Sequence, residues 1–192
     1  MSNTDLSQLT KEQFNTLYPV ELVDYNPNWV RLFDAEKAMI LSAVDSNLLG
    51  RIEHFGSTSI PGIKAKPYID ILIEIDESML FNEGLIDQFK PIGYQHWKVP
   101  ERDGIAAYMS FGKGYYNDGT TAQIFHIHMC PANNFMWKQI AFRDYLIAHP
   151  ERAQAYESLK TDLAAKHKND RGAYVLGKTD FVVETLAMIK DQ

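Results

Sequence analysis

The chain has 192 residues, a formal net charge of -6, and a composition that is 45% hydrophobic and 12% aromatic, rich enough in apolar side chains for one sizeable core and too rich for a disordered chain. The acidic balance argues against a surface that neutralises many nucleic-acid phosphates, although a local basic pocket for one small anion remains open. A single cysteine, Cys130, excludes an internal disulfide or a cysteine zinc cluster, and no run approaches the roughly 18 apolar residues of a membrane span.

Residues 1–18 read as an N-terminal extension and 19–192 as one domain. The opening "MSNTDLSQLTKEQF" has neither the basic flank nor the apolar stretch of a secretory signal, so the cytoplasm is the expected location. "PVELVDY" at 19–25 reads as a short strand. Asn26 is then placed to cap, and Pro27 to open, a long helix in which Trp29, Leu32, Phe33, Glu36, Met39, Ile40, Ala43 and Val44 recur at helical spacing.

A strand is expected over 51–55, and from Tyr68 a second one alternates, with Ile69, Ile71, Ile73 and Ile75 on one face and Tyr68, Asp70, Leu72 and Glu74 on the other. A helix near 78–89 and strands at 94–99, 105–111 and 122–129 follow, the last two joined by the turn-rich "GKGYYNDGTT", which reads as a hairpin tip. The remainder has helical periodicity, with the stripe Ala153, Tyr156, Leu159 and Leu163 as core packing. The expected class is α+β: a mixed sheet packed with helices and a helical C-terminal part.

The chemistry concentrates in "EHFGSTSIPGIKAKPYIDILIEID", residues 53–76. It is not a Walker A loop, because Ile63 follows the second glycine and a strand comes next, and it does not fit the nucleophile elbow G-x-S-x-G. A Gly-Ser turn whose backbone N–H groups and hydroxyls hold phosphate, ahead of a strand whose carboxylate holds a bridging cation, fits the order Gly56, Ser57, Asp70. The plainer alternative is a tight turn closed on itself, with Asp70 in a buried ion pair to Lys66 or Arg51.

This stretch, with "FHIHM", "FRDYLIAHPERAQAYESLKTDLA" and "GKTDFVVETL", resembles the GrpB family of the nucleotidyltransferase superfamily over roughly Pro19 to Lys190. The resemblance implies a nucleotidyltransferase-like sheet and a pocket for a nucleotide or phosphorylated small molecule. It also implies a divalent metal (Mg, Mn or Zn), nucleotidyl transfer as a reaction class, and a link to coenzyme A biosynthesis proteins, since GrpB-type domains occur joined to dephospho-coenzyme A kinase. Phosphate would fall to Gly56, Ser57, Thr58, Ser59, Lys66 and Lys178.

The superfamily's second acid falls here on Leu72, and Glu74 stands roughly 13 Å from Asp70 along a strand, too far for one cation. That places a two-metal mechanism in question and leaves a non-catalytic binding module, or a metal-dependent phosphohydrolase, as alternatives. His126 and His128, two apart on a strand, point to one side and would complete a catalytic or metal set with Asp70, or serve as ordinary sheet-bonded histidines. His54 reads as structural, Cys130 as a small buried hydrophobe, Lys178 as a capping or phosphate-binding residue, and Tyr174 as a platform for a base.

Overall fold

The computed structural model describes residues 9–101, 105–116 and 121–190. Twelve regular elements organise them: α1 (Lys11–Leu17), α2 (Asn28–Ala43), β1 (Ile52–Phe55), β2 (Tyr68–Glu74), α3 (Glu83–Phe89), β3 (Gln95–Val99), β4 (Tyr108–Tyr115), β5 (Thr121–Cys130), α4 (Lys138–Ala148), α5 (Pro150–Lys166), α6 (Arg171–Leu176) and α7 (Thr179–Lys190). The strands form one five-stranded sheet in the order β1-β2-β5-β4-β3. β2 and β5 run parallel and the other pairs antiparallel, so the sheet is mixed and the class is the expected α+β.

The alternation of β2 decides what each face does. Ile69, Ile71 and Ile73 join Phe125, Ile127 and Met129 of β5 and Met109 and Phe111 of β4 in the main core, closed by Trp29, Phe33 and Ile40 of α2 and Leu85 and Phe89 of α3. The opposite face carries Tyr68, Asp70 and Leu72. At one end α1 covers it, packing Phe14 and Leu17 with Tyr18, Tyr68, Tyr115 and Ile124. At the other end Met136, Trp137 and Ile140 cover Phe55, Leu72 and Cys130. Asp70 lies between these two covers, which is why a carboxylate survives there partly open.

The helical C-terminal part has its own apolar cluster, in which Phe142 and Leu146 of α4 and Ala153 and Tyr156 of α5 enclose Ile60 and Ile63. Those two isoleucines belong to the loop after the Gly-Ser turn, so the helices hold that loop in place.

One charge is buried in the main core face. Glu36, 4% exposed, takes an ion pair from Lys113 at 2.7 Å and a hydrogen bond from the Tyr94 hydroxyl at 2.9 Å. This explains a glutamate on the apolar stripe of α2. Lys113→Met leaves that carboxylate short of its counter-charge and should cost about 3 kcal/mol in urea unfolding, as breaking a buried pair does; a loss below about 1 kcal/mol would contradict it.

Several expectations need correction. Residues 19–25 form no strand: Val23 and Ala65 make one isolated bridge, and the Val20 N–H turns away to the Lys168 carbonyl at 2.7 Å. α3 begins at Glu83, preceded by a short 3-10 turn at Glu77–Met79. β4 starts later than expected and runs through Tyr115, a buried residue, so much of "GKGYYNDGTT" is strand; residues 117–120 lie outside the described set. α2 starts one residue later than expected, with Pro27 at the cap position and Asn28 first in the helix, although the Asn26 side chain does accept from the Asn28 N–H at 3.0 Å.

Candidate functional site

Gly56 is the pivot of the site. It follows β1 with φ +70° and ψ -175°, a conformation essentially limited to glycine, and a Cβ placed there would stand 2.4 Å from Asp70 Oδ2. Two independent constraints therefore require glycine: the backbone geometry, and the approach of the turn to the carboxylate. The register agrees, since Phe55 is the residue opposite Asp70.

After Gly56 the chain makes a 3-10 turn over Ser57–Ser59. The three hydroxyls do different jobs. Thr58 is buried and its hydroxyl donates to the Tyr68 carbonyl at 2.9 Å while meeting His54 Nε2 at 3.1 Å, so that hydroxyl is committed to the fold and only the backbone N–H of Thr58 is left for a phosphate. Ser59 Oγ donates back to the Gly56 carbonyl at 2.6 Å, closing the turn, and that donor is likewise spent. The Ser57 hydroxyl has no such partner among the described residues and remains open to a ligand. His54 is structural as expected, stacked on Phe33 with centroids 4.9 Å apart.

β5 brings His126 opposite Asp70 and His128 opposite Leu72. His126 Nδ1 lies 3.6 Å from Asp70 Oδ1, while its Nε2 meets the Tyr115 hydroxyl. The three groups make a chain, Asp70 to His126 to Tyr115. His128 sits one pair further along, against the edges of Phe55 and Tyr108, its Nδ1 buried without a hydrogen-bond partner. The structure thus brings Asp70 and His126 together and leaves His128 apart. Among the described residues no group of three or more His, Cys, Asp or Glu side chains is arranged to hold a metal ion. Asp70, His126 and His128 are therefore not gathered as a metal set among the described residues, and His126 Nε2 is taken by the Tyr115 hydroxyl.

The expected partners of Asp70 also need correction. Arg51 pairs with Glu74 at 2.5 Å and lies over the Trp137 ring, and Lys66 does not reach ion-pair distance of Asp70. Burial alone would raise the Asp70 carboxyl; His126, then His128 and Lys66, outweigh it and hold the group below its ordinary value. Burial pushes the His128 ring down to about 4, so it is neutral near pH 7.

Three cations gather around Tyr68 and Tyr174, and of these Lys66 acts on the Asp70 carboxyl. Lys66 Nζ lies 4.9 Å from the Tyr68 ring and 5.6 Å from the Tyr174 ring. Lys178 Nζ lies 4.7 Å from the same Tyr174 ring, and the Arg171 guanidinium 5.2 Å from the Tyr68 ring, with a hydrogen bond of 3.2 Å to its hydroxyl. Tyr174, 2% exposed, is therefore a platform for ammonium groups and not for a base. Behind them Lys160, 0% exposed, donates to the Lys64 carbonyl. Burial, with Arg171 and Lys178 nearby, pushes Lys66 down to about 7; burial, with Lys178, does the same to Lys160.

Arg171, Lys160 and Tyr115 escaped the sequence reading. Signals for two of them exist: Lys160 continues the Ala153, Tyr156 spacing beside Leu159 and Leu163 at a core position, and Arg171, Tyr174 and Lys178 share the spacing of one helix face behind the capping Asp170. A cavity of about 340 Å³ opens beside His126, walled by Phe14, Trp97, Ser110, Tyr115 and Arg171. The larger cavity, about 880 Å³, lies between α3 and β3 and contains none of the candidate residues.

The comparisons with known proteins bear on the family and the fold. The family model described as "GrpB protein" matches residues 19–188. The glutamate-rich protein GrpB of Alkalihalophilus pseudofirmus is 37% identical over 87% of this chain and 94% of its own length. The protein YqkA of Bacillus subtilis is 36% identical over 86% of this chain, which spans about half of that relative, 47%. The crystal structure of conserved protein GrpB from Enterococcus faecalis covers 88% of this chain and 96% of that one, at a TM-score of 0.70 and 26% identity. A more distant likeness, with a TM-score of 0.47 and 11% identity, is to Cid1 in complex with the UTP analog UMPNPP, over 90% of this chain and 53% of that one. On the family model and these relatives, the chain belongs to the GrpB family.

Proposed function

We propose that this chain is a nucleotidyltransferase-like protein that binds a nucleotide or another phosphorylated small molecule, with phosphate oxygens on the Gly56 turn and the Ser57 hydroxyl, beside Asp70. The observation that carries the reading is the Gly56 turn held against the Asp70 carboxylate by a conformation and a contact that only glycine permits. Gly114 of β4 is constrained in the same two ways, but against a backbone carbonyl; at Gly56 the group approached is a carboxylate. The cations Lys66, Lys178 and Arg171 supply the positive charge a phosphate requires.

Nucleotidyl transfer is the reaction class to test first if the site is catalytic. A second reading, a binding module without turnover, is favoured by one observation: Leu72, 0% exposed, stands where the superfamily's second acid would be.

The test is thermal unfolding against the four nucleoside triphosphates and coenzyme A precursors, each with and without Mg²⁺, Mn²⁺ or Zn²⁺. A native-state ligand at 100 times its Kd adds about 2.7 kcal/mol of stability. At least one phosphorylated ligand should raise the midpoint, and Asp70→Asn should lose that rise. No shift with any of them, or an unchanged shift in Asp70→Asn, would remove this site from the account.

A further inference from the structure

The superfamily resemblance implies a metal, and the donor set beside the Gly56 turn does not fit one. Among the described residues no three His, Cys, Asp or Glu side chains are gathered there; His126 Nε2 is taken by the Tyr115 hydroxyl, its Nδ1 lies 3.6 Å from Asp70 Oδ1, and His128 stands opposite Leu72. The same place is crowded with cations. Lys66 and Lys178 share the face region of Tyr174, and Lys66 and Arg171 that of Tyr68, so Lys66 sits in the middle of an arc that runs from α6 to the edge of the His126 cavity.

We propose that the phosphate-bearing ligand is neutralised in this site by the side chains of Lys66, Lys178 and Arg171, which take the place of a divalent cation. The inference rests on the reading above, that the Gly56 turn holds phosphate.

The charge balance supports it. None of the three cations has a carboxylate within ion-pair distance among the described residues, whereas Arg51, Lys113, Arg143 and Arg152 each have one. Lys66 has Arg171 and Lys178 beside it and one carboxylate, Asp70, so the group carries a positive surplus whenever Lys66 is protonated. In a chain whose net charge is -6, holding such a surplus half-buried is unfavourable unless an anion completes it. Lys66 is pushed down to about 7 by burial and then by Arg171 and Lys178, which is what like charges do when their counter-charge is missing. Polyphosphate chains suit the arc better than a single phosphate, because the cations are spread over two rings and not gathered at one point.

The experiment is isothermal titration calorimetry of the whole chain with inorganic tripolyphosphate, in EDTA and in excess Mg²⁺. Binding should persist in EDTA with a Kd within about threefold of the Mg²⁺ value, and Lys66→Gln and Lys178→Gln should each weaken it about tenfold or more, the loss expected of a charge-assisted contact. Binding that appears only with a divalent metal, or wild-type affinity in Lys178→Gln, overturns the inference. Ser57→Ala separates the two claims: metal-dependent binding that Ser57→Ala weakens leaves the phosphate turn standing and sinks only its metal-free operation. No binding under either condition sinks both.

Discussion

Gly56→Ala should lose ligand binding and destabilise the chain by about 2 kcal/mol or more, while Gly62→Ala costs about 1 kcal/mol and binds as wild type. Both glycines have positive φ, +70° and +81°, so a side chain at either is conformationally strained. They differ in what the new Cβ meets. At Gly62 nothing lies within 4 Å, whereas at Gly56 the Cβ would stand 2.4 Å from Asp70 Oδ2 and 3.1 Å from its Cβ. Relief requires the turn to lift away from β2 or the carboxylate to rotate off its position beside His126, and either movement dismantles the site. Urea unfolding and ligand titration of the two variants make the comparison, and equal behaviour would mean that the contact between turn and carboxylate has no functional consequence.

Stability in the absence of ligand should rise from pH 7 to pH 9, by roughly 1 kcal/mol per pH unit from each of two lysines, discounted for solvent at Lys66. Lys66 faces Arg171, Lys178, Asp70 and the rings of Tyr68 and Tyr174; Lys160 faces Lys178, Glu157 and Tyr156. Both are pushed down from 10.5 to about 7, with burial the largest cause. Above pH 7 the unfolded chain therefore holds protons that the folded chain has released, and raising the pH favours the folded state. Below about 7 both states are protonated and the full penalty remains. The buried Cys130 thiol, pushed up to about 12, acts in the opposite sense only above its ordinary value of 9.0.

His54 and His128, each pushed down to about 4 from 6.5, extend the same sign of slope to acid. Ligand affinity runs the other way, because an anion recovers the lysine protons: it should fall by up to about tenfold per pH unit per lysine as the pH rises through 7. Lys66→Met should reduce both slopes and leave the share of Lys160. Urea midpoints at pH 6.5, 7.5 and 9, with and without tripolyphosphate, measure the pair. A ligand-free stability that is flat or falling between pH 7 and 9 would contradict this electrostatic account.

Much of the scaffold was legible because it rests on short-range rules. The period-2 alternation from Tyr68 assigns Asp70 to one face and the isoleucines to the other, and the apolar spacing after Pro27 finds α2. The Gly56, Ser57, Asp70 order and the shared side of His126 and His128 follow from the same local geometry. What was not legible depends on distant partners. Nothing local says that the Thr58 hydroxyl goes to the Tyr68 carbonyl while the Ser57 hydroxyl finds no partner among the described residues. Arg171 reaches the site only because α6 folds back over Tyr18 and Tyr68. The edge of β4 was missed because glycines that mark turns elsewhere lie within this strand, where Gly112 leaves room for the Trp97 ring. The expected strand at 19–25 failed because its N–H groups find separate partners, Lys168 and Ala65, with no continuous neighbour.

The most direct measurement is a crystal of the chain soaked in tripolyphosphate. The account predicts density against the Ser57 hydroxyl and the Gly56 turn, extending towards Lys66 and Arg171 beside Asp70. Density in the groove between α3 and β3, or none beside the turn at saturating concentration, would contradict it.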